Sequence, residues 1–215
     1  MNVEGDYDED GYVRLAGLVP KEVTQAFLGL LKSDLDQSGV PLNSLKQGSN
    51  LLKGDAIELY AYHYPPMLMF LWGLTPTMVE LTGRDLLPTY AYLRIYKKGD
   101  ICRVHSDRHS CQHSLSLMLA SSDNLAWPLE IGGDRLPEPS PRVSEDFEEG
   151  TYSSIAMEAG DAVLYKGTSH RHGRITPNPN AWSAHLFLHW VDRNGPYANF
   201  AFDGQQAYLK PLHFG

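Results

Sequence analysis

The hydrophobic pattern changes its period once, near residue 88, and this change limits the folds open to the chain. Before residue 88, apolar residues recur at helical spacing over 20–35 and 66–82. The second stretch is interrupted at 73–76, so it could form either one helix or two. After residue 88, polar and apolar residues alternate as in strands, over 90–96, 112–120, 127–132, 152–157, 161–166, 170–176 and 182–191. Helices followed by strands predict an α+β, mainly β fold: a double-stranded β-helix (jelly roll) core with N-terminal supporting helices.

The length of 215 residues suits a single domain spanning 1–215. We expect five segments within it: a flexible acidic arm (1–12), a helical support (20–87), the jelly-roll core (88–192), a mobile loop or lid (134–150) and a C-terminal extension (193–215).

The negative charge is concentrated in two of these segments. The chain carries a formal charge of −8, whereas residues 1–10 alone contain five acids and no base, and 134–150 contains six acids and two bases. The remainder is close to neutral. Without a basic face we expect no nucleic-acid or membrane partner. If the 134–150 loop covers a site, its acids are candidates for recognising a cationic substrate.

Two cysteines provide no disulfide framework, which favours a reducing, cytoplasmic location. The longest apolar run, 66–74, is about half of the roughly 20 residues that a membrane span needs. The oligomeric state stays open.

Seven of the nine histidines fall in the strand-rich half of the chain. His105 and Asp107 are two residues apart, so on a strand both side chains point to one side. A third ligand comes from a later strand, where His172 is favoured over His170 by the Gly-Arg that follows it. Two histidines and one carboxylate form the facial triad of non-haem iron(II) oxygenases.

Other histidines suggest weaker alternatives. His105 and His109 form an H-x-x-x-H pair, but Ser106 occupies the place of the glutamate that a zinc protease requires. Three histidines alternate with apolar residues and are expected to be buried, hydrogen-bonded groups: His113, His185 and His189.

Several short motifs between about 88 and 204 carry a family resemblance: Tyr96-x-x-Gly99, His105-x-Asp107-Arg108, Cys111 to Ser116, Trp127-Pro128, Gly160-Asp161, Tyr165-x-Gly167, His172-Gly173-Arg174 and Phe187 to Asp192. With these motifs the chain resembles the iron(II)/2-oxoglutarate-dependent oxygenases, in the branch similar to prolyl 4-hydroxylases. The resemblance implies that His105, Asp107 and His172 bind Fe(II). It also implies 2-oxoglutarate and O2 as cosubstrates, and hydroxylation of an amino acid, a peptidyl residue or a small metabolite with release of succinate and CO2.

The resemblance also implies a site for the distal carboxylate of 2-oxoglutarate. Tyr96 occupies a position where the family often has a tyrosine that bonds this group. The family's basic residue on the last core strand is absent, and we expect Arg174 to replace it because it lies two residues after His172. Arg94 and His185 are the next candidates.

Two residues are candidates for contact with substrate or with the ligand shell: Arg108 and Trp127. Two other functions stay open: a cupin-like metal dioxygenase that does not use 2-oxoglutarate, and a non-catalytic jelly-roll binding protein. The carboxylate of Asp107 argues against halogenation, since related halogenases lack it.

Overall fold

The computed structural model describes residues 1–205 and 210–211. The α-helices are α1 (Lys21–Gln37) and α2 (Pro66–Thr82). The strands are β1 (Asn2–Glu4), β2 (Tyr12–Ala16), β3 (Lys46–Gln47), β4 (Ala56–Tyr60), β5 (Leu86–Lys97), β6 (Cys102–His105), β7 (His113–Ser121), β8 (Leu129–Arg135), β9 (Tyr152–Ile155), β10 (Ala162–Tyr165), β11 (His170–Arg174) and β12 (Trp182–Asp192). Short 3-10 turns occupy Leu42–Leu45, His109–Cys111 and Ala198–Gly204.

The strands form two antiparallel sheets. The larger has the order β1-β2-β10-β7-β12-β5-β4-β3, and the smaller has the order β6-β11-β8-β9. Strands that are distant in sequence lie side by side, as in a jelly roll. The predicted fold class is confirmed, and a strand occurs at every segment where alternation predicted one.

The larger sheet is buried on both faces. Leu117 of β7 packs in the cluster that contains α1 and α2 residues such as Phe27 and Met67. Met118, the next residue, packs in a second cluster with Leu129 and neighbours from the smaller sheet. Successive residues of a strand point to opposite faces, so the helices cover one face and the smaller sheet covers the other.

α2 is one continuous helix, although the sequence allowed either one helix or two in this stretch. It begins at Pro66, passes through Pro76 and ends at Gly83, whose φ of 64° is the left-handed conformation that suits glycine. Met67 and Met78 on its inner face are fully buried. Packing of this face outweighs the lost hydrogen bond at the internal proline. None of the helices in the described residues is long and apolar enough to span a membrane.

The first residues differ from the predicted flexible acidic arm. β1 pairs with β2 along the edge of the larger sheet, and Tyr7 is buried with its hydroxyl 2.6 Å from Nδ1 of His113. Asp8 pairs with Arg84 and Lys166. The prediction was wrong because a count of acids does not reveal strand pairing or the positive partners that neutralise them.

Three other segment boundaries also differ. The predicted helical support, 20–87, includes the strands β3 and β4 and the start of β5. The predicted loop 134–150 begins inside β8, and its Phe147 is buried. The C-terminal extension forms the 3-10 turn Ala198–Gly204, while residues 206–209 and 212–215 lie outside the described part.

Candidate metal centre and its pockets

Two histidines and one aspartate converge where β6 pairs with β11. His105 ends β6, and His172 lies directly opposite it in the register of β11. The Nε2 atoms of His105 and His172 lie 3.6 and 3.5 Å from Oδ1 of Asp107. One ligand atom from each residue lies within 4.8 Å of the other two, close enough to share one ion. The structure therefore brings together the three side chains that the sequence selected.

Backbone carbonyls fix the tautomer of both histidines. Nδ1 of His105 lies 2.8 Å from the carbonyl oxygen of Arg103, and Nδ1 of His172 lies 3.0 Å from that of His170. Because a carbonyl oxygen only accepts, each Nδ1 carries a proton, and in the neutral ring Nε2 keeps its lone pair. Both lone pairs are therefore available to a metal beside Asp107.

The carboxyl group of Asp107 is held in its ionised form. Burial opposes ionisation, but His172 and His105 outweigh this effect and keep the pKa of Asp107 well below its ordinary value. Burial and the neighbouring His172 lower the pKa of His105. Burial also acts to lower the pKa of His172, but the attraction of Asp107 outweighs it and the pKa is raised. Two imidazole nitrogens and one anionic oxygen are the donor set that suits non-haem iron(II).

The second oxygen of Asp107 has its own support. Ser114 donates a hydrogen bond of 2.9 Å to Oδ2, and the Ser114 hydroxyl lies 2.9 Å from Nδ1 of His189. Gly167 packs beneath the same oxygen, where a Cβ atom would overlap Oδ2 of Asp107 and the carbonyl oxygen of Cys111. These contacts orient Oδ1 toward the two histidines.

His170, the alternative distal ligand, lies apart from this cluster. Its Nδ1 is 3.0 Å from the carbonyl oxygen of Gly132, and its ring packs against Gly11. The pairing of β11 with β8 shifts register between His170 and His172. This irregularity separates two side chains that an ideal strand would place on one face.

A narrow inner pocket joins the three converging residues to the predicted cosubstrate site. Its lining includes Arg94, Tyr96 and Arg174 as well as the candidate metal ligands. The structure therefore places three of the four predicted cosubstrate residues in one pocket with the triad.

Arg174 is a buried cation without a carboxylate partner. It is 1% exposed, and it donates to the carbonyl oxygen of Trp127 at 2.7 Å and toward Nδ1 of His185 at 3.3 Å. Among the described residues no carboxylate oxygen lies within 4 Å of it. The nearby carboxyl group of Glu130 accepts from the backbone N–H of Ile175, and burial raises its pKa. Burial likewise lowers the pKa of Arg174.

Arg94, unlike Arg174, has a carboxylate partner. Its guanidinium forms an ion pair of 2.6 Å with Glu58, a bond of 2.7 Å from Nε to the same oxygen, and a bond of 3.0 Å to the Tyr96 hydroxyl. Glu58 lies directly opposite Arg94 in the register of β4 and β5. The charge of Arg94 is therefore balanced within the protein.

His185 and Trp127 surround Arg174. Arginine cannot accept a hydrogen bond, so Nδ1 of His185 is the acceptor and its Nε2 carries the proton. That Nε2 is buried and has no hydrogen-bond partner among the described residues. The Trp127 ring lies 4.7 Å from the Arg174 guanidinium carbon, and its indole N–H donates to Thr176. Trp127 thus contacts the buried cation and does not line the outer pocket described next.

An outer pocket of about 530 Å³ also borders the triad. His105 and Asp107 line its base, and Arg108 lies at its rim. Arg108 is largely exposed, stacks 4.5 Å over the Tyr90 ring and lies 4.0 Å from Asp203. The remaining walls are formed by Asn50, Leu51, Tyr60, Tyr62, Tyr90, Tyr92, Arg94, Ser106, Cys111, Ser140, Pro141, Val143 and Asp203.

The 134–150 loop is attached to the metal-binding motif. The hydroxyl of Ser106 donates to the carbonyl oxygen of Ser140 and accepts from its N–H, and Val104 exchanges two backbone hydrogen bonds with Ser144. Serine, proline and valine of this loop face the outer pocket. Its acids are not among the lining residues, which removes the expected basis for recognising a cation.

Glu58 and Ser114 are the site residues that sequence reasoning missed. Glu58 is the one acid in an otherwise apolar strand, AIELY, and that isolation is the signal that could have revealed it. Ser114 lies in the motif quoted above, but nothing in the sequence shows its contact with Asp107.

Comparison with solved structures shows the fold. The chain is similar to the non-heme alpha-ketoglutarate-dependent carbocyclase SnoK from nogalamycin biosynthesis, with a TM-score of 0.66, 14% identity, and coverage of 96% of this chain and 88% of that one. It has the fold of these enzymes. No protein-family model matches the chain, and neither does any curated protein.

Two further structures share the fold. A Pseudomonas putida prolyl-4-hydroxylase has a TM-score of 0.58 and 15% identity, covering 88% of this chain and 96% of that one. HygX from Streptomyces hygroscopicus, with nickel, 2-oxoglutarate and hygromycin B bound, has a TM-score of 0.62 and 10% identity, covering 87% and 85%. These fold neighbours include 2-oxoglutarate-dependent enzymes that hold metal and cosubstrate.

Proposed function

We propose that the protein is a non-haem iron(II)/2-oxoglutarate-dependent oxygenase of the hydroxylase type. One observation carries the proposal: two tautomer-fixed histidines and an ionised aspartate converge beside a pocket that ends at an unpaired, buried arginine. The three ligands are His105, Asp107 and His172, and the arginine is Arg174.

The polar groups around Arg174 fit a dicarboxylate. A buried positive charge is costly unless an anion neutralises it, and no protein carboxylate within 4 Å does so among the described residues. The proton on Nε2 of His185 is a second buried donor without a partner. A guanidinium and an imidazole N–H together suit a carboxylate. The inner pocket itself has a volume of only about 20 Å³, so entry of 2-oxoglutarate requires its side chains to move apart.

The roles of the remaining residues follow from their contacts. Iron(II) and 2-oxoglutarate, when bound, would supply activation of O2 for oxidation of a C–H bond, with succinate and CO2 as products. Ser114 holds Asp107 so that a single oxygen faces the metal. Tyr96 accepts from Arg94 at the wall of the inner pocket, and Trp127 positions Arg174 through its ring and its carbonyl oxygen.

The reaction type within this class rests on fewer observations. Asp107 occupies the position that a halide would need, which favours oxygen transfer. Fold neighbours include a carbocyclase, an epimerase and a prolyl hydroxylase, so fold alone does not select among these reactions. Membership in the prolyl 4-hydroxylase branch stays a prediction from the motifs.

An anaerobic titration tests the proposal directly. Wild-type protein receives iron(II) and then 2-oxoglutarate, and we expect a weak visible metal-to-ligand charge-transfer band that requires both. Asp107→Ala should abolish the band, whereas His170→Gln should keep it. A metal that binds without any 2-oxoglutarate effect would favour the cupin-like alternative, and absence of metal binding would favour a non-catalytic jelly roll.

A further inference from the structure

We propose that the outer pocket selects an uncharged, flat ring system that carries hydroxyl or carbonyl oxygens. This inference rests on the proposed function, because it names the substrate class of the same site. It rests on three features of the outer pocket: the stacking of its tyrosines, the aliphatic side chains in its lining and the balance of charge.

The first feature is a wall of four tyrosines, Tyr60, Tyr62, Tyr90 and Tyr92, which we call the tyrosine wall. Tyr60 and Tyr92 are paired directly across β4 and β5, and their rings stack with centroids 5.4 Å apart and planes 24° apart. The rings of Tyr90 and Tyr92 are nearly parallel, at 12°. Tyr92 also stacks on Phe187 of β12, 4.8 Å away. The ring planes are thus nearly parallel across three neighbouring strands.

This stacking determines which part of each ring meets a ligand. Rings that stack face to face at the spacing of neighbouring strands stand upright on the sheet. Tyr60 and Tyr92 each stack on two ring neighbours, so their faces are covered and their edges remain for a ligand. Aromatic edges carry partial positive charge and prefer the face of another ring, in an edge-to-face arrangement. A flat ring laid on the tyrosine wall makes this contact with several tyrosines at once.

The second feature is a set of aliphatic side chains in the lining of the outer pocket. Leu51, Pro141 and Val143 line it, and the last two belong to the loop attached to Ser106. A pocket that combines aromatic ring edges with aliphatic side chains suits a planar, largely apolar ligand. Its volume of about 530 Å³ lies within the range of pockets that bind small organic ligands, about 300–1,000 Å³.

The third feature is the absence of an unbalanced fixed charge in the pocket, apart from the candidate metal ligands. Arg94 is paired with Glu58, and Arg108 at the rim lies 4.0 Å from Asp203. Among the described residues of the lining, no other group carries a permanent charge. A zwitterionic amino acid or a charged peptide would lose its hydration without gaining an ion pair.

Tyr92 supplies a polar contact within this pocket. Among the tyrosines of the wall, Tyr92 alone lines the inner pocket as well as the outer pocket, and both pockets include candidate metal ligands. The Tyr90 hydroxyl bonds with Cys111, and that of Tyr60 with Glu58, but that of Tyr92 has no hydrogen-bond partner among the described residues. Burial raises the pKa of Tyr92 well above its ordinary value, so this phenol stays protonated. It can donate to an oxygen on the ring.

Binding of a model ring tests the proposal. The probes are 2-naphthol, naphthalene, free proline and a neutral capped prolyl peptide, each titrated by ligand-observed NMR. The protein is examined alone and with iron(II) and 2-oxoglutarate under anaerobic conditions. We expect 2-naphthol to bind and the proline probes not to bind. Tyr60→Leu should weaken 2-naphthol binding about 2- to 12-fold, the loss expected for one aromatic contact. Trp182→Leu, an exposed aromatic outside both pockets, should have no effect.

Tyr92→Phe separates ring contact from oxygen recognition. This variant should bind naphthalene as wild type does and lose the preference for 2-naphthol over naphthalene. A stronger response to the prolyl peptide or proline would overturn the proposal, and so would unchanged 2-naphthol binding in Tyr60→Leu. Iron and 2-oxoglutarate binding are measured on the same samples. If they fail while ring binding persists, the proposed function is wrong and the recognition of rings stands; the opposite result refutes only the ring proposal.

Discussion

Replacement of Arg174 by methionine should separate ligand binding from stability, because the two effects are expected to have different sizes. Arg174 is buried without a carboxylate partner, and a dicarboxylate in the inner pocket would supply one. Removing one partner of a buried, hydrogen-bonded charge pair costs about 2–5 kcal/mol. At about 1.4 kcal/mol per factor of ten, Arg174→Met should weaken 2-oxoglutarate binding by about 30-fold to several thousand-fold.

The free energy of unfolding of the protein without ligands should change little in the same variant. The substitution loses a charged hydrogen bond to Trp127, worth about 1.5–3 kcal/mol, and a cation–π contact worth up to about 2 kcal/mol. It also removes the desolvation penalty of an unpaired buried charge, which is several kcal/mol. These contributions oppose each other, so the net change should be about 1–2 kcal/mol or less in either direction.

Arg94→Met is the matched control, since it removes the same charge from the same pocket. It leaves Glu58 buried without its partner, which should destabilise the protein by about 3–5 kcal/mol. Urea denaturation measures both stabilities, and the anaerobic charge-transfer titration measures 2-oxoglutarate affinity. The reasoning is refuted if Arg174→Met binds 2-oxoglutarate as wild type does, or if it loses as much stability as Arg94→Met.

Three further predictions concern the surroundings of the metal centre. Ser114→Ala removes the hydrogen bond to Oδ2 of Asp107 and should weaken iron(II) binding about 10- to 100-fold. Competition with a chelator measures this affinity. Unchanged affinity would show that the serine does not position the carboxylate. Gly167→Ala places a methyl group against the same oxygen and should weaken metal binding at least as much. The control Gly73→Ala, in open space on α2, should leave metal affinity unchanged. Equal metal affinities of the two variants would contradict the close packing at Gly167. Burial raises the pKa of Cys111 to about 12, and Cys102 is buried as well. Neither thiol should therefore react with a disulfide reagent at pH 8 until the protein is unfolded. Rapid reaction of the native protein would show that the thiols are accessible.

The three side chains selected from the sequence lie together in the structure, and two of them could be paired from their local spacing alone. His105 and Asp107 are two residues apart, and the motif around His172 selected one histidine of a close pair. Strand alternation predicted the core for the same reason, since a period of two is visible in a short window. The register shift that separates His170 from His172 is not visible in the sequence. His172 was preferred only because Gly173 and Arg174 follow it.

The errors involve contacts between distant parts of the chain. The first residues were expected to be a free arm because five acids were counted without their partners. The structure pairs Asp8 with Arg84 and Lys166, and places Tyr7 against His113. In the same way, the acids of the 134–150 loop were candidates for contact with a ligand if the loop covered a site. Glu145 instead pairs with Arg103, and the pocket receives neutral residues of that loop.

One such contact also distinguishes the two candidate arginines by their charge balance. In the sequence, Arg94 and Arg174 each lie two residues from another predicted site residue, and neither has an acid nearby to distinguish it. Glu58 joins Arg94 only through the pairing of β4 with β5, across a separation that no local pattern spans. Because that pairing neutralises Arg94, the uncompensated charge of the inner pocket resides on Arg174. An unpaired positive charge on Arg174 favours an anion beside it. The pairing of two distant strands thus supports an anionic cosubstrate in the inner pocket.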